Sequence, residues 1–314
     1  MHRELEVICA GMSVADILAQ GVAELPGGGR TTFAKRVSMH AGGDALNQAV
    51  VLSRLGHKIG LMSLVGNDGQ GRFLLNECRK YGVDLSAVAV SDVYPTSTSM
   101  VIIDADGERS FISQRNGTVD EYGPEHVDLG HIHSGLKVLS VGSMFCSPRF
   151  DREVLPALLK KAKESGAITL TDMVPNSQGE KLENHRESFK YLDFVMPSLD
   201  EAVIYTGKED CKQISDVFFK LGVKNVVIKL GSDGVYSRTQ SGCITLPAYK
   251  VDVVDTTGAG DNFVAGFISG LLRGLPHKKC LQFAGAAAAL SIGSLGASGG
   301  VHSLEQVEQF MLKM

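Results

Sequence analysis

The chain has 314 residues, 31 of them basic and 35 acidic, for a formal net charge of −4. At roughly 150 residues per domain this is room for about two domains or one large α/β unit, with a core that needs no disulfide or structural metal. The balanced charge excludes a general field for nucleic acid or an anionic membrane surface, and 44% hydrophobic residues exclude a disordered chain.

In chain order, Met1 to Glu6 leads straight into Val7 to Ala10, a short strand, with no apolar leader segment. Residues 16–40 lack helix periodicity and carry the turn Pro26-Gly27-Gly28-Gly29. A helix over Ala45 to Leu55, a strand over Ile59 to Val65 and a helix over Phe73 to Tyr81 follow. Between Thr96 and Gln114, Ser99 to Asp104 and Arg109 to Ser113 flank Asp106-Gly107, a hairpin signal. Further strands are predicted at Val138 to Val141, Ile168 to Thr171, Phe194 to Met196 and Val226 to Leu230. Helices are predicted at Val154 to Ser165, Ile214 to Leu221 and Phe263 to Leu272, and Ala284 to Ile292 reads as a buried helix. The polar stretch Asn176 to His185 reads as a loop.

Strands apolar throughout, alternating with helices, predict an α/β fold of three layers, α/β/α, around a mainly parallel sheet. The two irregular stretches, at about 16–40 and 96–117, are expected to meet in a small antiparallel sheet over one edge of a single 1–314 unit. A plain surface hairpin is the alternative. No apolar run approaches the ~18 residues of a membrane span. The six cysteines include no Cys-x-x-Cys pair. Cys9, Cys146 and Cys280 lie in apolar runs and are expected to be buried thiols in a reducing cytoplasm.

The chemistry concentrates in Asp255-Thr256-Thr257-Gly258-Ala259-Gly260-Asp261-Asn262-Phe263. The segment follows a strand-like Val251 to Val254 and opens a helix whose apolar residues recur at i+4. Gly258-Ala259-Gly260 therefore forms the loop at a helix N-terminus, where bare N–H groups and the helix dipole attract an anion. Asp261, in the first helical turn, is at its simplest a favourable charge at that dipole. Beside an anion cradle, a carboxylate that takes the proton of an attacking hydroxyl fits phosphoryl transfer. No Gly-Lys-Ser/Thr follows, so this is not a Walker loop.

A second glycine pair, Gly42-Gly43, opens the helix that carries Asp44 and Asn47, three apart and on one face. Both residues can bond a polyol, or serve as a cap and a surface residue.

With both segments, the sequence resembles the ribokinase-like (PfkB) family of carbohydrate and nucleoside kinases over essentially the whole chain. One signature is Gly42-Gly43 with Asn47, Ala49, Gly56 and Gly66. The other is Asp255 to Asp261 leading into Ala265-Gly266-Phe267. The Gly-Gly-Asp-Ala loop resembles that of one sugar kinase branch. The resemblance implies ATP, Mg²⁺ and a ribokinase-like fold whose small sheet is a lid and a homodimer contact. It implies Asp261 as catalytic base, and the main chain of Gly258, Ala259 and Gly260 as anion hole. For the sugar it implies Asp16, Gly42, Gly43, Asp44 and Asn47. Nucleotide contacts are implied for Ser198, Lys229, Gly231, Ser232, Gly234, Gly258 and Gly260, with Ala284 and Ala288 walling the adenine. Glu201 would hold Mg²⁺ through water. Asp255, Thr257, Ser294 and Gly296 would hold a monovalent cation such as K⁺.

Three departures stand out. Ser198 replaces the Asn of the family's Asn-x-x-Glu. Ser143 to Cys146 has no acidic residue where ribokinase-type members carry a Glu for substrate. Gly300 stands where some relatives place a cation-site Ser. Two carboxylates, Asp16 and Asp44, in one pocket disfavour sugar acids and sugar phosphates unless Arg115 compensates. The expected acceptor is a neutral sugar or polyol phosphorylated on a primary alcohol. The alternatives are a nucleoside kinase, disfavoured by few lid aromatics and no Trp, and a silent sugar- or nucleotide-binding regulator, disfavoured by the intact Asp261. No nucleic-acid or membrane partner is expected.

Overall fold

Alternate residues of the first strand, β1 (Val7–Gly11), enter different cores: Val7 and Cys9 join one apolar cluster, Ile8 and Ala10 the other. A strand buried on both faces needs helices above and below it. The computed structural model, which describes residues 5–24, 27–104, 109–175, 179–294 and 296–313, has this arrangement.

After β1 come β2 (Val14–Val22), β3 (Arg36–Gly42), α1 (Asp44–Arg54), β4 (Ile59–Gly66), α2 (Gly69–Lys80) and β5 (Val88–Ser91). Next are β6 (Thr98–Asp104), β7 (Arg109–Ser113), the single-turn α3 (Thr118–Glu121), β8 (Val138–Met144), α4 (Leu155–Glu164), β9 (Ile168–Met173) and α5 (Arg186–Phe189). The two-residue β10 (Phe194–Val195) precedes α6 (Leu199–Thr206), α7 (Cys211–Leu221), β11 (Asn225–Lys229), β12 (Val235–Thr239) and β13 (Gly242–Leu246). Last come α8 (Ala259–Leu272), α9 (His277–Ile292) and α10 (Leu304–Lys313).

Nine strands form the main sheet in the order β13-β12-β11-β10-β9-β8-β1-β4-β5, parallel except for the β11-β12-β13 meander. From β1 the chain crosses to β4 on one side and later to β8 on the other. Such a reversal leaves a crevice at the carboxyl ends of the strands. Residues of α1, α8 and α9 contribute to one cluster, residues of α4, α6 and α7 to the other. α8 and α9 approach closely because Gly266 faces Ala284: a Cβ on Gly266 would lie 2.9 Å from the Ala284 Cα.

The second sheet, in the order β3-β2-β6-β7, unites the two irregular stretches. Its outer pairs are antiparallel and its central pair, β2-β6, is parallel. Pro26 and the Asp106-Gly107 turn lie outside the described residues.

Several predicted bounds shift. α2 starts at Gly69 rather than Phe73, because the Asp68 carboxylate caps it by accepting from the Gly71 N–H at 2.7 Å. Val251 to Val254 is no strand: the Val254 and Asp255 N–H groups donate to the Ile292 carbonyl at the end of α9, at 2.8 and 3.1 Å, and not to a neighbouring strand. Within the predicted loop at 176–185, Leu182–His185 makes a 3₁₀ turn, and residues 176–178 lie outside the described residues. Cys9 and Cys280 are buried as expected, whereas Cys146 is only half-buried, its Sγ 3.2 Å from the Met12 sulfur.

Candidate active site

Asp261 sits in the first turn of α8, 6% exposed, at the carboxyl edge of the sheet. The helix starts there because Gly258 caps it with φ +73°, a left-handed conformation. A Cβ on Gly258 would also fall 2.3 Å from the Ala297 carbonyl oxygen, so both conformation and space require glycine. The first helical hydrogen bond runs from the Asn262 N–H to the Gly258 carbonyl at 2.9 Å. The N–H groups of Gly260 and Asp261 precede it and have no carbonyl a turn back to reach. That of Ala259 donates to the Thr256 carbonyl at 3.3 Å, so it is the least available of the three implied donors.

α1 brings its own N-terminus to the same place. Asn47 Nδ2 donates to Asp261 Oδ2 at 2.8 Å, and the buried Asn47 Oδ1 has no partner among the described residues. Carboxylate oxygens of Asp44, Asp172 and Asp261 all lie within 4.8 Å of one another. Asp16, on β2, lies over Gly42: a Cβ there would meet Asp16 Oδ2 at 2.1 Å. Gly43, with φ +94°, passes the Met12 carbonyl so closely that a Cβ would be 2.5 Å from its oxygen. The glycine pair is thus what lets the small sheet's carboxylate and α1 approach each other.

This crowding of acids sets the electrostatics. Burial, then the charge of Asp44, pushes the Asp261 carboxyl well above the ordinary range, while the Asn47 hydrogen bond draws it down. Burial and Asp172 raise Asp44 to about 6, and burial and Asp44 raise Asp16 to about 6. The Lys229 ammonium lies among them, its Nζ donating to Asp172 Oδ1 and Oδ2 at 2.8 and 2.6 Å. Burial alone would lower Lys229, but Asp172 and Glu201 outweigh it and hold it above its usual value.

The profile of the pfkB family carbohydrate kinases matches residues 10–304. The chain belongs to this family. It is 30% identical over 298 residues to the 2-dehydro-3-deoxygluconokinase of Bacillus subtilis (strain 168), covering 90% of this chain and 88% of that one. Arabidopsis thaliana ribokinase, solved with ribose and ATP, superposes with a TM-score of 0.87 at 28% identity, covering 98% of both chains. Thermotoga maritima ribokinase superposes with a TM-score of 0.83 at 29% identity, over 99% of this chain and all of that one. The protein is accordingly an ATP-dependent carbohydrate kinase of ribokinase-like fold.

On the kinase's other flank, Gly231 and Ser232 form an exposed 3₁₀ turn after β11, closed by Gly234 at φ +101°. Ser198 and Glu201 make a capping box on α6: the Ser198 N–H donates to Glu201 Oε2 at 2.7 Å, and the Glu201 N–H to Ser198 Oγ at 3.3 Å. Asp255 joins two loops, accepting from the Thr257 N–H at 2.8 Å and the Gly296 N–H at 2.9 Å. Ser294 is two residues from Gly296, across Leu295, which lies outside the described residues. Two implied contacts are not brought in. Ala284 is fully buried against α8, so of the two alanines only Ala288 reaches the surface. The Arg115 side chain is 61% exposed and lies 3.9 Å from Asp120 rather than on Asp16 or Asp44.

Sequence reasoning passed over Asp172. Its signal was a charged residue ending Ile168 to Thr171, a strand otherwise fit for the centre of a parallel sheet. At the end of β8, Ser143 and Phe145 hold φ +66° and +78°, a sharp turn at the segment without an acidic residue. The Asp151 carboxylate fixes this turn by accepting from the Phe145 N–H at 3.0 Å.

Proposed function

We propose that this kinase transfers the γ-phosphoryl of ATP to a primary hydroxyl of a sugar or polyol, with Asp261 as the base. The hydroxyl oxygen forms its bond to the γ-phosphorus as the bond to the bridging oxygen breaks. The hydroxyl proton goes to Asp261 and ADP leaves. The observation that carries the reading is the buried Asp261 carboxylate in the first turn of a helix opened by Gly258, with Asn47 bonded to one carboxylate oxygen. The N–H groups of the Gly258–Gly260 turn would neutralise charge on the phosphoryl in flight, and Gly231, Ser232, Gly234 and Ala288 would border the nucleotide.

Glu201 is pushed up to about 7 by burial, with Lys229 pulling it down and Asp172 pushing it up. Such a carboxylate, next to Ser198 and at the phosphate side, fits a divalent cation reached through water, so Glu201 and Ser198 would hold Mg²⁺. When bound, Mg²⁺ offsets the charge of the ATP phosphates. Asp255, Thr257, Ser294 and Gly296 would flank a monovalent cation, with Asp255 supplying the negative charge.

Asp16, Asp44 and the unpartnered Asn47 Oδ1 all accept hydrogen bonds, so the end of the acceptor that meets them carries hydroxyls and no anion. This favours a neutral acceptor. A nucleoside acceptor has one observation in its favour: Phe111, 64% exposed, is in register with Val101 and Leu18, on the face of the small sheet that carries Asp16. The opposite face of this lid supports a homodimer. Met39, Ile17, Met100 and Ile112 are paired side by side across four strands, and Met39, Met100 and Ile112 are 41%, 43% and 55% exposed. The buried thiols Cys9, Cys78 and Cys280 suit a reducing cytoplasm.

The test is ATP turnover with a panel of neutral sugars and polyols, sugar acids, sugar phosphates and nucleosides. The reading expects the highest kcat/KM among the neutral sugars and polyols. Preference for a sugar acid or sugar phosphate would reverse the acceptor argument, and preference for a nucleoside would favour the Phe111 reading.

A further inference from the structure

The Asp172–Lys229 pair has no place in the mechanism above, yet it is packed onto the turn that the mechanism uses. A Cβ placed on Gly260 would lie 3.0 Å from Lys229 Nζ and 3.6 Å from Asp172 Oδ2. The ammonium therefore touches the bare main chain between the Gly258 cap and the base. Two of its three N–H groups go to the two Asp172 oxygens. Asp172 is itself held, since its Oδ1 also accepts from the Met173 N–H at 2.8 Å, and its residue is 3% exposed.

A purely structural tie is a poor explanation of the pair. Asp172 is the penultimate residue of β9 and Lys229 the last of β11, and the two strands are separated by β10. The backbone beyond these strand ends is already joined: the Met196 N–H donates to the Thr171 carbonyl, and the Lys229 N–H to the Pro197 carbonyl, both at 2.9 Å. Burying a charge pair where main-chain bonds already hold the strands adds desolvation cost with little structural gain. Position explains the pair better. Lys229 has carboxylates around it from Asp172, Glu201, Asp261 and Asp44. Only Asp172 takes it in a two-oxygen grip, which keeps the cation beside Asp261 without occupying it.

We propose that Asp172 is a positioning residue for phosphoryl transfer: it holds the Lys229 ammonium against Gly260, where the third N–H meets the γ-phosphoryl, and keeps that cation off Asp261. The proposal rests on the kinase reading of the same turn. It assigns Lys229 to the transferred group rather than to the rest of the nucleotide.

The experiment compares wild type, Lys229→Met, Asp172→Asn and the double variant. The readouts are ATP and ADP affinities by calorimetry, kcat and KM with the best acceptor, and thermal melts. The expected result for Lys229→Met is kcat lower by ~10²-fold, the usual worth of one oxyanion donor. Its KM for the acceptor and its ADP affinity stay within about threefold, and its preference for ATP over ADP falls by roughly tenfold. Asp172→Asn is expected to lower kcat by roughly tenfold with acceptor KM again unmoved, and the double variant to be no worse than Lys229→Met alone, the sign of one coupled unit. Variants that melt lower but keep wild-type kcat and ATP preference would show a structural tie and overturn the proposal. So would a raised acceptor KM at unchanged kcat. If Asp172→Asn does not fold, Lys229→Met and Lys229→Gln carry the test on the same readouts. Should wild type phosphorylate none of the panel, the acceptor reading fails, but the ATP-over-ADP preference still decides whether Lys229 meets the γ-phosphoryl.

Discussion

Asn47 and Asp261 are 214 positions apart in the chain and meet at 2.8 Å, amide to carboxylate, where the N-termini of α1 and α8 converge. Each belongs to its own glycine-opened helix, and each glycine is there because a neighbour's backbone or carboxylate occupies the space of a Cβ. The pair is what turns two short motifs into one site.

The Asn47 bond draws the Asp261 carboxyl down against burial and Asp44, which push it up. A base works only when ionised, so activity is expected to rise with pH through a limb above the ordinary carboxylate range. In Asn47→Ala this limb moves to higher pH, and kcat at neutral pH falls by roughly tenfold, a loss of about 1.4 kcal/mol. A pH–kcat profile of both proteins checks it; an unmoved limb would mean that Asn47 does not tune the base.

Gly258→Ala combines a left-handed φ with a Cβ set 2.3 Å from the Ala297 oxygen. The turn must shift to admit it, and a displacement on the order of 1 Å is enough to cost ~10²-fold in kcat. Single-turnover kinetics on the folded variant measure this directly, with ATP still bound.

Asp151 is buried and its carboxyl is pushed up to about 8 by that burial, despite main-chain bonds from Phe145 and Ser147 that pull it down. A carboxyl raised in the folded state binds more protons than in the unfolded chain. Its contribution is therefore full below the unfolded pKa of 3.8 and is lost as pH climbs through about 8. Melting temperature should fall from pH 6 to pH 9 more steeply in wild type than in Asp151→Asn, which keeps an acceptor for the Phe145 N–H and cannot ionise. Equal slopes would place the pH dependence elsewhere.

For the lid, Met100→Lys with Ile112→Lys puts charge in the middle of the exposed apolar face. Light scattering is expected to give a dimer for wild type and a monomer for the double variant, with the melting temperature of the monomer nearly unchanged. A wild-type monomer would remove the proposed contact.

Much of this was legible in the sequence. Periodicity found the alternating strands and helices, because a parallel sheet covered on both faces needs continuous apolar strands. The two glycine motifs located Asp44, Asn47 and Asp261, since bare backbone at a helix start has few other uses. What stayed hidden depends on three dimensions. Asp172 looks like a lone acid at a strand end until β10, two residues long, lets it reach Lys229. Ala284 sits in an alanine run that suits a pocket wall, but Gly266 draws α9 in and covers it. Val251 to Val254 has strand composition, and only the end of α9 decides where its N–H groups go. The two irregular stretches meet in a small sheet as expected, but the parallel sense of their β2-β6 pairing is not something hairpin signals reveal.

The most direct test is the turnover of Asp261→Asn with the best acceptor, measured alongside its ATP affinity. A drop of roughly 10²–10⁴ in kcat, the usual worth of a general base, with ATP bound as in wild type, is the expected result. A variant that phosphorylates the acceptor at the wild-type rate would contradict the role of Asp261, and with it the mechanism built on that carboxylate.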